Sequence, residues 1–80
     1  MKAINFNSND VKRLESTDFS INNTNDNAVK TVENHSVSIT KTTNTNYDLY
    51  VDDKLMSHSY YIEDLIFSIS FFIETFEDSE

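Results

Sequence analysis

The side chains with the most chemical reach in this chain are carboxylates. Nine of its fourteen Asp and Glu residues lie between Asp48 and Glu80, opposed there only by Lys54, and they bracket the most aromatic segment, Tyr60 to Phe76. As an acid or base, a carboxylate needs a partner group and a shaped cleft. As part of an array it attracts Lys and Arg, and a guanidinium fork fits it bidentately. The spacing here favours the second chemistry. Glu63, Asp64, Glu74, Glu77 and Asp78 recur at helical-neighbour distances around Phe67 and Phe71, while Asp48, Asp52 and Asp53 crowd one short hairpin.

Catalytic readings find little support. The chain has no Gly, which removes phosphate-cradling loops and dinucleotide fingerprints, and no Cys, which removes thiol nucleophiles, disulfides and Cys-based zinc sites. His35 and His58 read as isolated surface or half-buried side chains rather than bases. Asp52 and Asp53 are explained by a turn, without the spaced oxygen ligands of an EF-hand loop. Tyr47, Tyr50, Tyr60 and Tyr61 can stack on bases, but without a basic groove they are better assigned to strand packing and protein contacts. The expectation is a non-enzymatic protein with no cofactor and no metal.

Charge narrows the partner. The net charge is -8, and it is local: residues 1–40 carry four Lys/Arg against five Asp/Glu, residues 41–80 two against nine. Uniform solubilisation does not require that split. An extended negative surface repels nucleic acid, and it attracts and speeds association of Arg/Lys-rich proteins.

At 80 residues the chain is expected to form one domain over 1–80, burying about two thirds of its unfolded surface. The apolar fraction of 38%, with four Tyr and six Phe, suffices for a small core. Met1 to Phe6 lacks the continuous apolar run of a signal peptide, and Tyr60 to Phe76 is too short and too charged to cross a bilayer. The absence of Cys fits a cytoplasmic location.

The elements that must position these groups follow from periodicity. Lys2 to Phe6 alternates like a short strand, Ser8 or Asn9 can cap a brief helix with Val11 and Leu14 inward, and Phe19 and Ile21 suggest a second short strand. The polar run 22–27 reads as a mobile loop. Val29 to Glu33, Ser36 to Lys41, Tyr47 to Val51 and Lys54 to Ser59 read as an antiparallel meander, with Val37, Ile39, Tyr47, Leu49 and Val51 on its apolar face. Thr42 to Asn46 is expected as a hairpin loop and Asp52-Asp53 as a two-residue turn. Without Gly, positive φ falls to Asn and Asp, giving Asn22-Asn23, Asn25 to Asn27, Asn44 to Asn46 and Asp52-Asp53 as turn sites.

Ser57 or Ser59 can cap a final helix whose Ile62, Leu65, Ile66, Ile69, Phe72, Ile73 and Phe76 form a core stripe, followed by an acidic tail over 77–80. The fold class predicted is α+β: a small antiparallel β-sheet meander packed against a long C-terminal amphipathic α-helix, with a short N-terminal helix.

Projection at about 100° per residue sets Tyr60, Phe67 and Phe71 on a second stripe, nearly opposite the first. One sheet needs only one apolar stripe, so the second needs its own cover. Three covers are open: the Asn9 to Glu15 helix and neighbouring segments of the same chain, a second copy paired through Phe67 and Phe71, or a hetero-partner that takes the two rings as anchors inside an acidic rim.

The stretch Val37-Ser38-Ile39-Thr40, Tyr47-Asp48-Leu49-Tyr50-Val51-Asp52-Asp53, then Ile62-Glu63-Asp64-Leu65-Ile66 through Phe72-Ile73-Glu74 and the acidic end, resembles small acidic phage anti-CRISPR proteins of the DNA-mimic type. The residue usage, rich in Asn, Ser, Thr and Ile and devoid of Gly and Pro, fits an AT-rich genome such as that of a low-GC bacterium or its phage. The resemblance covers roughly residues 35–80 and rests on pattern and composition; no clear second C-terminal helix follows. It implies a phage-encoded, stoichiometric inhibitor acting in the host cytoplasm, occupying the basic nucleic-acid-binding surface of a CRISPR effector. The alternatives are an immunity protein or antitoxin against a basic nuclease, or a homodimeric structural phage protein.

Overall fold

Alternation of apolar and polar residues dominates the middle of the chain and builds one antiparallel sheet. The computed structural model describes residues 4–43 and 45–78, with side chains as far as Thr75. The elements are α1 (Ser8–Ser16), β1 (Ser20–Ile21), β2 (Asn27–Val32), β3 (His35–Thr43), β4 (Asn46–Val51), β5 (Lys54–Ser59) and α2 (Ile62–Asp78). The five strands lie in chain order and every neighbouring pair is antiparallel, so the sheet is a pure meander.

Period two sends Ala28, Val37, Ile39, Tyr47, Leu49 and Val51 to one face, where they join Phe6, Leu14, Phe19, Ile62, Leu65, Ile69 and Ile73 in a single core. Both helices therefore cover the same face. α2 packs on β4 and β5, and α1 packs against β1. The architecture is the two-layer α+β arrangement expected from the sequence.

Two turns without glycine set the register. Val32 pairs with His35 and Val51 pairs with Lys54, leaving two-residue loops at Glu33-Asn34 and Asp52-Asp53. All four loop residues have positive φ, between 50° and 71°. That is the mirror-image turn whose twist matches paired strands. Asp52-Asp53 was expected there; Glu33 was expected in a strand, and it shows that a tight hairpin can force the left-handed region on a residue other than Asn or Asp. Of the remaining Asn turn sites, only Asn25 has positive φ among the described residues, and Asp18 joins it at the exit of α1. Asn44 lies outside the described residues.

Other local expectations are corrected. Asn7 caps α1 in place of Ser8 or Asn9: its side chain accepts from Asp10 N at 2.9 Å while Asp10 Oδ2 accepts from Asn7 N at 3.2 Å, a complete capping box. The N-terminal strand reduces to one bridge, Ile4 to Lys41, and its start at Lys2 lies outside the described residues. Within the polar run 22–27, Asn22 Oδ1 accepts from Asp26 N and Asn27 N, and Asn25 O accepts from Phe6 N.

At one end of the core the apolar pattern is broken deliberately. Lys41 follows Val37 and Ile39 on the inner face and is buried, as is Asp10 of α1. Lys41 Nζ donates to Asp10 Oδ2 at 3.2 Å, and Tyr47 Oη donates to Asp10 Oδ1 at 2.7 Å. The ammonium also lies 5.5 Å from the centre of the Tyr47 ring. The carboxylate thus meets a cation, a phenol and a backbone N–H, which is what a buried charge requires.

Breaking the pair strands a charge, so Asp10→Asn or Lys41→Met should each lower unfolding free energy by about 3–5 kcal/mol in urea melts. Burial, then the Asp10 hydrogen bond and charge, raise the Tyr47 phenol above its ordinary value of 10.0. Unfolded Tyr47 ionises first as pH rises, so this stabilisation is full below pH ~10 and is lost above it. Denaturation between pH 9 and 12 should show wild type losing more stability than Tyr47→Phe.

Candidate functional site

α2 carries its two stripes as the helical period requires, and the sheet takes only one of them. Ile62, Leu65, Ile69 and Ile73 are buried, with Ile66 and Phe72 packed at the margin of the core. The Phe76 side chain lies outside the described residues. On the other side Phe67 is 85% and Phe71 65% exposed. α1 does not cover them: it lies against β1, and its Arg13 Nη2 stands 3.8 Å from Glu63 Oε2 in the first turn of α2. Neither α1 nor another segment of the described residues buries Phe67 or Phe71. α1 shares a layer with α2 on the inner face of the sheet, where the Asp10 to Lys41 contact helps to hold it.

Local chemistry fixes the stripe. Ser59, expected as a cap, sits before the helix start at Ile62; its hydroxyl accepts from Tyr61 N at 3.1 Å and donates to Asp64 Oδ2 at 3.3 Å. Glu63 and Asp64 occupy the first turn, where the helix dipole favours negative charge. Phe71 packs edge-on against half-buried Phe72, with ring centres 5.4 Å apart and planes at 72°, so an exposed ring is steadied by the core. Glu74 is exposed one turn beyond Phe71. Tyr60, projected onto the second stripe, instead precedes the helix, which begins at Ile62, and both it and Tyr61 are exposed at the entrance. Tyr61 was given no part in the stripe; its position immediately before the first helical residue was the available signal.

The carboxylates do not form one surface. Asp48 lies between inward Tyr47 and Leu49, so it points to the face of the sheet that carries no helix, opposite His58 on β5. Phe67 and Phe71 point away from the sheet on the other side of the molecule. Asp52 and Asp53 are exposed at the β4–β5 turn. The side chains of Glu77 and Asp78, and the acidic tail they begin, lie outside the described side chains. The structure therefore brings together Glu63, Asp64, Phe67, Phe71 and Glu74, and sets Asp48 apart.

His35 is not isolated. Its Nδ1 lies 2.7 Å from Asp52 Oδ2, while Asp52 Oδ1 accepts from Ser36 N at 3.0 Å and Asp52 N donates to Ser36 O at 2.8 Å. These contacts clip the start of β3 to the β4–β5 turn. The imidazole hydrogen bond, then the Ser36 amide, hold the Asp52 carboxyl below its usual value. No group of three or more His, Asp or Glu able to hold a metal ion occurs among the described residues. No described helix is long and apolar enough to cross a membrane. No family model, curated protein or solved structure matches the chain.

The two stripes should separate in stability measurements. Phe67→Ser should change unfolding free energy by less than about 0.5 kcal/mol, as exposed positions do, whereas Ile69→Ala should lose about 2–5 kcal/mol. Because the folded Asp52 pKa is depressed, its stabilising effect is present above the unfolded value near 3.8 and disappears as pH falls through the folded value. NMR titration should show the Asp52 carboxyl titrating at higher pH in His35→Ala than in wild type.

Proposed function

We propose that the chain is a stoichiometric protein inhibitor that docks the outer side of α2 on the basic, nucleic-acid-binding surface of another protein. In the form suggested by the sequence resemblance, it is a phage-encoded anti-CRISPR protein standing in for DNA on a CRISPR effector in the host cytoplasm. The observation that carries this reading is the exposure of Phe67 and Phe71 on a helix without a Lys or Arg, between the carboxylates of Glu63 and Asp64 on one side and Glu74 on the other.

An Arg that holds phosphate or reads guanine offers a planar fork, and a carboxylate satisfies that fork equally well. Charge steers the encounter and discriminates against acidic partners, while buried aromatic anchors slow dissociation. Glu63 is already engaged by Arg13, so Asp64 and Glu74 are the carboxylates best placed for an outside cation.

Binding to a purified CRISPR effector, followed by calorimetry, should weaken at least tenfold on combined Asp64→Lys and Glu74→Lys substitution. It should also weaken as salt rises, and compete with the effector's DNA. Binding that is absent, or indifferent to salt and to charge reversal, refutes the proposal.

A further inference from the structure

The spacing on the exposed side of α2 is palindromic. Asp64 precedes Phe67 by three residues, Phe67 precedes Phe71 by four, and Phe71 precedes Glu74 by three. On a helix this places two rings about 6 Å apart along the axis, between carboxylates about 15 Å apart. The groups share one side because each step is three or four residues. Such a face presents the same pattern whichever way an opposing helix runs.

This pattern decides between occupants. When a second copy of α2 is laid antiparallel across the stripe, Phe67 meets Phe71 of the second copy. The same register sets Asp64 against Glu74 of the second copy, and Glu74 against Asp64. Both outer contacts are carboxylate on carboxylate, and α2 has no Lys or Arg to intervene. The arrangement that buries the rings best in a homodimer is therefore the one its charges oppose. An anionic lipid surface is opposed for the same reason.

Resting on the reading that this side of α2 docks on a basic protein, we infer that the partner element is an amphipathic helix of matching pattern. It carries a Lys or Arg, two apolar side chains beginning three residues later and spaced by four, and a second Lys or Arg three residues after those. Such a helix fills the space over Phe67 and Phe71 and answers Asp64 and Glu74 with cations. Basic helices of this kind are also the elements that nucleic-acid-handling proteins lay in the major groove.

The chain itself supplies the probe. A copy carrying Asp64→Lys and Glu74→Lys keeps Phe67 and Phe71 and reverses the two outer charges. By sedimentation across a concentration series at low salt, wild type alone and the reversed copy alone should each remain at the 9.3 kDa monomer mass. Mixed, they should form a 1:1 complex that weakens tenfold or more when Phe67→Ser is added to either copy. The complex should also weaken as salt shortens the screening length from about 10 Å at 0.1 M to about 3 Å at 1 M.

Asp64 lies in the first helical turn, so Glu74→Lys alone provides a second variant that leaves that turn intact. It should self-associate at low salt, because each introduced ammonium meets Asp64 of the other copy. Circular dichroism establishes that each variant is folded. The inference is overturned if the folded variants neither mix into a complex nor self-associate, if association ignores Phe67→Ser, or if wild type alone dimerises at low salt. Because no outside protein takes part, failure to bind a CRISPR effector leaves this result standing, and failure here leaves effector binding to be judged separately.

Discussion

The buried contact of Asp10 with Lys41 and Tyr47 fixes how α1 sits on the sheet, and with it one end of the core. Moving an ion pair out of water carries a desolvation penalty of several kcal/mol per ion, and the penalty is offset only by close geometry and additional hydrogen bonds. Here the carboxylate accepts from the Tyr47 phenol, the Lys41 ammonium and the Asn7 N–H, so both of its oxygens are hydrogen-bonded. The pair joins groups 31 residues apart and fixes the end of the sheet on which α1 rests. An apolar contact would allow α1 to slide over the core. A directional ionic one does not, and α1 stays in the layer that it shares with α2 on the inner face of the sheet.

Much of the fold was legible because it rests on short-range rules. Alternation of Val37 and Ile39, then of Tyr47, Leu49 and Val51, specifies strands with one apolar face. The run from Ile62 to Ile73 specifies a helix with one buried side, and Asp52-Asp53 marks a hairpin by its tolerance of positive φ. What was not legible depends on pairs distant in sequence. Lys41 occupies an inward position by parity, but a charge there reads as surface until Asp10 is known to face it. His35 and Asp52 are 17 residues apart and meet only because two turns stand side by side. Asn7 was missed as a cap because Ser8 and Asn9 are equally good candidates on composition.

The candidate site shows the same division. The second stripe on α2 came directly from helical projection, but projection cannot say what covers it. Period two also predicts that Asp48 points away from the helices, which breaks the acidic half of the chain into two surfaces rather than one. Charge concentrated in sequence is therefore only partly concentrated in space. The helix carries aromatic anchors together with its carboxylates; the outer face of the sheet carries Asp48 beside Thr40 and a row of Val29, Ser38, Tyr50 and Leu55, of which Val29 and Leu55 are exposed. The first combination sets large aromatic anchors between carboxylates at both ends, whereas the second sets smaller aliphatic groups beside Asp48.

The central claim is that α2 is a core helix on one side and an open aromatic face on the other. Solvent paramagnetic relaxation on the free monomer tests it most directly, using a neutral gadolinium chelate and side-chain proton signals. Strong enhancement is expected at the Phe67 and Phe71 ring protons, with the Ile69 and Ile73 methyl groups protected. Rings of Phe67 and Phe71 as well protected as Ile73 in a chain of monomer mass would contradict it.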